Sequence, residues 1–445
     1  MRNLGFEQDE NVILTPRRRT LNNFIRSRIK GEERKAIEDI VTEIREITKK
    51  RGIIFNDEIY FEKSRPKSKR TLARKKKENL RKLCKYAKER IYPYIRFDLH
   101  CNAIYKKNDF LDLLSYIAMT HDFTNNGSET FREVYPLRRI PNADTLLYHI
   151  EKMYENRSHK DRKELEGMFI SVFDVINGIA KACNVFKRRV DVAIDLTDKL
   201  YYGDKNDYMV VETQPKSGTS HCYRFATINV VVAGRRFTLL GLPVGLFFKD
   251  QIVERLINYA RRWVKIRRVY VDRGFFSVDV INTLKKLGVR YLMPAIKNKK
   301  IMALSKKTKA PTILDYTMGT KNNHAAFKLV IVEDDYRVKR TFATNMNVKQ
   351  ENADDLFELY SKRWGIETSY RVKDCFMAKT TSKKYIVRLF YFMFSVLLYN
   401  IWVLINVLIG KELFGRILKK PIVTAKLFGT VLYTIAHPTV PPPDM

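Results

Sequence analysis

A chain of 445 residues with 45% hydrophobic content is long enough for two or three domains with sizeable cores, and too apolar to be disordered. Lysine and arginine number 84 against 49 acidic residues, a net charge of +35 that points to a polyanionic partner, with nucleic acid ahead of an anionic membrane surface. Five scattered cysteines with no CxxC argue against a disulfide framework and for a reducing interior, seven dispersed histidines argue against a zinc site, and Met1 to Glu10 lack the apolar run of a signal peptide.

Residues 1 to about 60 mix charge with helical periodicity, as in Ala36 to Ile44, and carry no chemistry that can be named. From Lys63 to Arg90 the chain is strongly basic, including Lys75, Lys76, Lys77, Lys85 and Lys88, with only Glu78 and Glu89 opposing. A solvated helix face would look similar. The imbalance favours contact with phosphate backbone, which supplies affinity and salt dependence without sequence reading. Residues 109–156 read as a small helical module. Asp109 to Ile117 is one apolar-faced helix, and a second begins near Asn142 or Asp144, either of which can cap it, with Arg138 and Arg139 just before. A helix-turn-helix with Arg138 and Arg139 at DNA fits this pattern, as does any capped helix. Residues 163–185 form a helix leading into the core.

Strands are expected at Val190 to Leu196, Tyr208 to Glu212 and Ala226 to Val232, with further apolar blocks to Phe248. Helices at Gln251 to Lys265 and Val278 to Leu287 alternate with strands at Val269 to Asp272 and Arg290 to Pro294. Between Lys297 and Asn345 a lysine-rich stretch precedes two strands, Phe327 to Val332 and Val338 to Ala343, around a turn at Glu333 to Tyr336. Leu389 to Ile409 is nearly all apolar and long enough to span a bilayer. Ser395, Asn400 and Asn406, with no second such segment, favour a buried core helix. The tail after residue 411 ends in Pro441 to Pro443.

Three separated stretches carry the chemistry. Tyr360 to Lys373 reads as a helix in which Tyr360, Trp364, Glu367, Arg371 and Asp374 share one face, bordered by Arg363. Alone it could be a surface helix with an Arg–Glu pair. Two upstream apolar runs end in carboxylates, at Asp195 and Asp272, and ligands gather beyond the carboxyl ends of strands in open α/β sheets. Two strand-end aspartates and a helical glutamate suffice for two divalent cations. Hard ions such as Mg²⁺ or Mn²⁺ take such oxygen ligands, and a pair of them about 3.5–4 Å apart suits phosphodiester cleavage. Asp191 and Asp198 are rivals to Asp195. Each aspartate read singly could simply cap a turn.

In order and context, Ile194-Asp195-Leu196-Thr197-Asp198, Val271-Asp272-Arg273-Gly274-Phe275 and Tyr360-x-x-Arg363-x-x-x-Glu367 resemble the three catalytic blocks of DDE insertion-sequence transposases, in the branch with a Tyr-Arg-Glu-Lys signature. The resemblance covers residues 185–410. It implies an α/β RNase H-like catalytic core (186–296 and 346–410), a β-rich insertion (297–345), a helical, basic DNA-binding region before them (1–185) and a C-terminal tail (411–445). Asp195, Asp272 and Glu367 would be the catalytic and metal-binding residues of a two-ion site. Tyr360 and Arg363 would grip the phosphate. The signature lysine is expected seven residues after the glutamate, where this chain has Asp374; Lys373 comes one residue early. At about 100° per residue it is turned well away from Glu367, so either the helix is distorted or Arg371 supplies the cation, and Arg371 is favoured.

The activity implied is cleavage of element ends and strand transfer into target DNA. The expected partners are double-stranded DNA, as terminal inverted repeats and target, and a second copy of the chain, in a nucleoid-associated cytoplasmic setting of a prokaryote. A nuclease of the same fold without strand transfer, an inactive DNA-binding derivative and a membrane-associated basic protein remain as alternatives.

Overall fold

Ser68 accepts a hydrogen bond from the Thr71 amide and so starts helix α1 (Lys69–Arg90), as hydroxyl caps do. The computed structural model describes residues 68–155, 159–186, 189–232, 235–245, 248–334, 336–361, 373–418 and 420–435. Along α1, Leu80, Leu83, Cys84 and Ala87 are buried, while Arg70, Arg74, Lys77, Arg81 and Lys85 fall at helical spacing on the exposed side. Four more helices follow: α2 (Lys107–Thr120), α3 (Thr124–Val134), α4 (Ala143–Lys152) and α5 (His159–Ala182). Asn142 is the α4 cap, accepting from the Thr145 amide at 2.8 Å.

Helix α3 is absent from the sequence reading. Its run Thr-Asn-Asn-Gly-Ser has weak helical propensity, and tertiary packing overrides it. A Cβ at Gly127 would meet Ile117 Cγ1 at 2.7 Å, so glycine is what lets α3 lie close against α2. The expected helix-turn-helix pairing is therefore altered. A three-residue turn joins α2 to α3, whereas residues 135–142 separate α3 from α4.

Among the described residues a nine-stranded sheet runs in the order β2-β3-β1-β5-β6-β9-β8-β7, with β4 also paired to β3. The strands are β1 (Val190–Tyr201), β2 (Val210–Lys216), β3 (Thr219–Val232), β4 (Arg235–Pro243), β5 (Ile266–Val271), β6 (Tyr291–Pro294), β7 (Thr312–Gly319), β8 (His324–Glu333) and β9 (Lys339–Thr344). Strands β1, β5 and β6 are parallel; β3 is antiparallel to both β1 and β4. The parallel strands read as continuous apolar runs because both faces are covered. On one face, α6 (Lys249–Arg261) and α7 (Val278–Lys286) bring Ile252, Leu256, Ile281 and Leu284 into the same core as Val192, Ile194, Val269 and Val271. On the other, Leu356 and Tyr360 of α9 (Asp355–Ser361) cover Ala193, Tyr270, Leu292 and Phe342.

Two boundaries differ from expectation. Strand β1 runs on to Tyr201 because β3 pairs with it as far as His221, so the polar stretch after Leu196 is strand and not loop. Residues 297–345 hold helix α8 (Lys299–Lys307) and strands β7 to β9, with the hairpin turn where it is expected. These strands extend the common sheet through β9 on β6 and form no separate layer.

The apolar stretch is helix α10 (Tyr385–Phe414), ended by Gly415 at φ 67°, and its most apolar window is wholly buried inside the fold. This is the core helix the interrupting polar residues favour. Helix α11 (Ala425–Thr434) packs beside α1 and α2.

Candidate active site

The parallel ladder between β1 and β5 pairs Ala193 with Tyr270 and Ile194 with Val271, and the Asp272 amide donates to the Ile194 carbonyl at 3.3 Å. One step further along, Asp195 and Asp272 stand on neighbouring strands, about 4.8 Å apart in the backbone. Alternation puts them on the same face, above Ala193 and Tyr270. The aspartates, 77 positions apart in sequence, thus meet at the carboxyl ends of the parallel segments. Strand β5 stops there: Asp272 accepts from the Gly274 amide at 3.3 Å and caps a short 3₁₀ turn, Arg273–Phe275. Asp195 is held more rigidly, in mid-strand of β1 where it pairs with Thr227 of β3, and is only 7% exposed.

Beside Asp195 lies a buried polar floor that the sequence reading misses. Its cross-strand neighbour on β3 is Thr227. Thr227 accepts from Asn229 Nδ2 at 2.9 Å, and Asn229 Oδ1 accepts from Thr238 Oγ1 at 2.6 Å and from Lys373 Nζ at 3.2 Å. Lys373 is 2% exposed, with its ammonium 5.4 Å from the Tyr399 ring centre. Burial drives its pKa down to about 7 against the pull of the nearby Asp195, and Arg236 adds to the fall. Lys373 is thus enclosed near Asn229, Arg236 and the Tyr399 ring and offers no surface contact to DNA; its orientation relative to Glu367 lies outside the described residues.

Lys249, the first residue of α6, is a second basic group the sequence reading misses. It donates to the Gly274 carbonyl at 2.7 Å, and its pKa is lowered by burial and by Arg224 while Asp272 opposes the fall. Its position straight after a strand-to-helix junction is the only local signal it offers.

The rivals to Asp195 are committed to ion pairs. Asp191 accepts from both Arg267 and Arg268 and from Tyr270. Burial raises its pKa, but the two arginines outweigh it and hold the carboxyl below its usual range. Asp198 accepts two hydrogen bonds from Arg224 at 2.7 Å and one from Thr213, and these likewise outweigh its burial.

Residues 249–401 match the family described as Transposase DDE domain. That stretch opens at Lys249 and includes Asp272, Tyr360 and Lys373; Asp195 lies before it. No curated protein matches the chain. The fold is similar to that of a piggyBac transposase, solved as a synaptic complex with hairpin DNA, with a TM-score of 0.52, 12% identity, and coverage of 80% of this chain and 77% of that one. The family match covers about a third of the chain, and the solved neighbour shows a likeness of fold.

The remaining candidates fall into three groups. Arg363, Glu367 and Arg371 lie outside the described residues. Among those described, no three His, Cys, Asp or Glu side chains cluster to hold a metal ion; Asp195 and Asp272 are adjacent carboxylates of the oxygen type that hard ions take. Tyr360 requires correction: it is 4% exposed, and its hydroxyl donates to the Val271 carbonyl at 3.3 Å, so it braces the end of β5 from below and offers no surface to a phosphate. Arg138 requires the same. Its guanidinium donates to the Tyr433 and Thr434 carbonyls at 2.6 and 2.8 Å and lies over the Tyr135 ring, satisfying the end of α11. Arg139 and Lys77 are exposed, and Lys75 and Lys76 half-buried. Within the basic run, Lys88 also departs from the phosphate-contact expectation. It is buried, paired with Asp112 at 2.6 Å and bonded to the Ile435 carbonyl at 2.8 Å.

Proposed function

We propose that this chain is a DNA transposase that cuts the ends of an insertion-sequence element and joins them to target DNA, using two divalent ions held by Asp195, Asp272 and Glu367. The observation that carries the reading is the β1–β5 register, which sets Asp195 and Asp272 side by side at the ends of parallel strands. The order β4-β3-β1-β5-β6, with β3 antiparallel and β1, β5 and β6 parallel, supports an RNase H-like core.

When bound, Mg²⁺ or Mn²⁺ supplies charge neutralisation at the phosphate and an acidified water. The protein's part is to hold the oxygen ligands still. Asp195 is fixed by its pairing with Thr227 on β3 and by the β5 ladder that reaches the residue before it. Asp272 is fixed by its turn and by Tyr360, which anchors the residue before it. Lys249 stands near Asp272, and Lys373, its pKa lowered to about 7, stands near Asp195. Arg363 is the candidate for bidentate contact with a phosphate. Joining two element ends calls for at least two copies of the chain, and the same reading places the protein on the nucleoid of a prokaryote.

The test is incubation of the full chain with duplexes carrying its own flanking terminal repeats and Mg²⁺ or Mn²⁺, scored for nicked and joined products. Asp195→Asn, Asp272→Asn and Glu367→Gln are each expected to reduce cutting to the metal-free background while DNA binding persists. Asp191→Asn and Asp198→Asn should keep cutting. A triad variant that cuts at the wild-type rate loses its assignment. Cutting without joining would make the chain a nuclease, and binding without any metal-dependent cutting would make it an inactive derivative.

A further inference from the structure

At the opposite end of the parallel strands from the carboxylates lies a cavity of about 490 Å³ whose wall is basic. Arg189 precedes β1, Arg261 ends α6, Lys265 and Arg267 flank the first residue of β5, and Arg290 precedes β6. Val264, Val289 and Gly288 complete much of the lining, and among the described residues no acidic side chain is part of it. The arrangement is built into the sheet. The Val190 amide donates to the Lys265 carbonyl at 3.0 Å and the Val269 amide to the Arg290 carbonyl at 2.8 Å, which brings these three strand entries together.

Part of this charge has a structural use. Arg267 is paired with Asp191, and Arg261 donates to the Leu287 carbonyl just past the end of α7. Helices α6 and α7 both end here, each presenting about half a negative charge. Asp191, which is shared with Arg268, and the two helix ends together cancel at most about two of the five positive charges, which leaves an excess of at least about three. Arg189, Lys265 and Arg290 are exposed and make no ion pair among the described residues. Three uncompensated cations around one concave wall favour a ligand that presents several phosphates in a row.

We propose that this groove binds the phosphodiester backbone of duplex DNA away from the cut. Lys265 and Arg267 stand five and more residues before Asp272, a run of about 17 Å at 3.4 Å per residue, or about five base pairs of B-form duplex. A phosphate held here is therefore not the one being cleaved. The inference rests on the proposed reading only for the choice of DNA as the polyanion.

The test uses the full chain with the triple variant Arg189→Gln, Lys265→Gln, Arg290→Gln, and measures affinity for a 40-base-pair duplex across salt concentration, without divalent metal. Losing three phosphate contacts should lower the slope of log affinity against log salt by about 2.7, at about 0.9 per contact. Cutting at saturating DNA should stay at the wild-type rate. An unchanged slope overturns the groove. So does displacement of the duplex from the wild type by millimolar inorganic phosphate or a free nucleotide at constant ionic strength, which would make the ligand a small phosphate. Repeating the measurement in an Asp272→Asn background separates the two ideas. A lower slope together with normal cutting by Asp272→Asn sinks the catalytic reading and keeps the groove. An unchanged slope together with an inert Asp272→Asn does the opposite.

Discussion

Lys373 concentrates the residue-scale argument. Its ammonium sits fully enclosed near Asp195, with burial the dominant cause of a pKa of about 7 against an ordinary 10.5. The unfolded chain therefore keeps this proton over a range in which the folded chain has released it. Stability rises with pH wherever the unfolded state binds more protons, so this group's penalty is full below about pH 7 and fades as pH climbs to about 10.5. Lys373→Met removes the titrating group. In metal-free buffer, urea unfolding of wild type minus variant should shift in favour of the wild type as pH rises from about 6.5 to 9.5, by a few kcal/mol at most. A pH-independent difference would mean that the folded protein leaves this lysine's proton affinity unperturbed. The placement also marks where sequence reading stops. Asp195 and Asp272 were legible because an apolar run ending in a carboxylate is a local pattern. Lys373 was not, because helical-wheel arithmetic orients it only relative to Glu367. Asn229 and Arg236, which surround it, belong to strands well over a hundred residues upstream.

At the scale of the element, helix α10 explains why so apolar a segment carries asparagines. Asn400 Oδ1 accepts from the Thr238 amide at 2.9 Å and Asn400 Nδ2 donates to the Thr238 carbonyl at 2.7 Å. The helix thus satisfies backbone groups of β4 that its pairing with β3 leaves over, a way of covering a sheet edge. Asn406 does the same for a loop, accepting from the Ile422 and Val423 amides at 2.8 and 2.9 Å. Ser395, by contrast, donates to Phe392 within its own helix. Asn400→Leu should cost about 2–4 kcal/mol, since a buried N–H and a buried carbonyl each lose a partner. Ser395→Ala should cost less than about 1 kcal/mol, as it strands no backbone group. Denaturant midpoints with equal m-values check both, and equal losses would refute the edge-capping role. The helix itself was legible from its length and composition. Its asparagines were visible only as exceptions, because their partners lie 162 and 16 to 17 positions away. Helix α3 was hidden for the converse reason: its local sequence disfavours the state that packing against α2 imposes.

Across the whole molecule, the helices before residue 186 and the sheet share one apolar interior. Leu80 and Leu83 of α1, Leu111 and Ile117 of α2, Val192 and Ile194 of β1, and much of α10 belong to one apolar cluster. Polar contacts tie the same parts together: Asn79 donates to Glu412 at 2.6 Å, and Lys88 and Arg138 reach main-chain carbonyls from 433 to 435. The charge of +35 is therefore divided by use, with some cations spent inside the fold and others facing out. Arg74, Lys77, Arg81 and Lys85 make an exposed stripe along α1, relieved mainly by the Lys82–Glu78 and Lys85–Glu89 pairs, which are solvent-exposed and weak. If the stripe meets phosphate and Arg138 serves the fold, their substitutions must have opposite signatures. Replacing the four stripe residues by Gln should lower the DNA salt slope by about 3–4 and leave the melting temperature unchanged. Arg138→Leu should leave the slope alone and cost about 1–3 kcal/mol, because two carbonyls lose a charged donor. A stripe variant with a wild-type slope would take α1 out of the DNA interface, and a full-stability Arg138→Leu that binds DNA less steeply would return Arg138 to it.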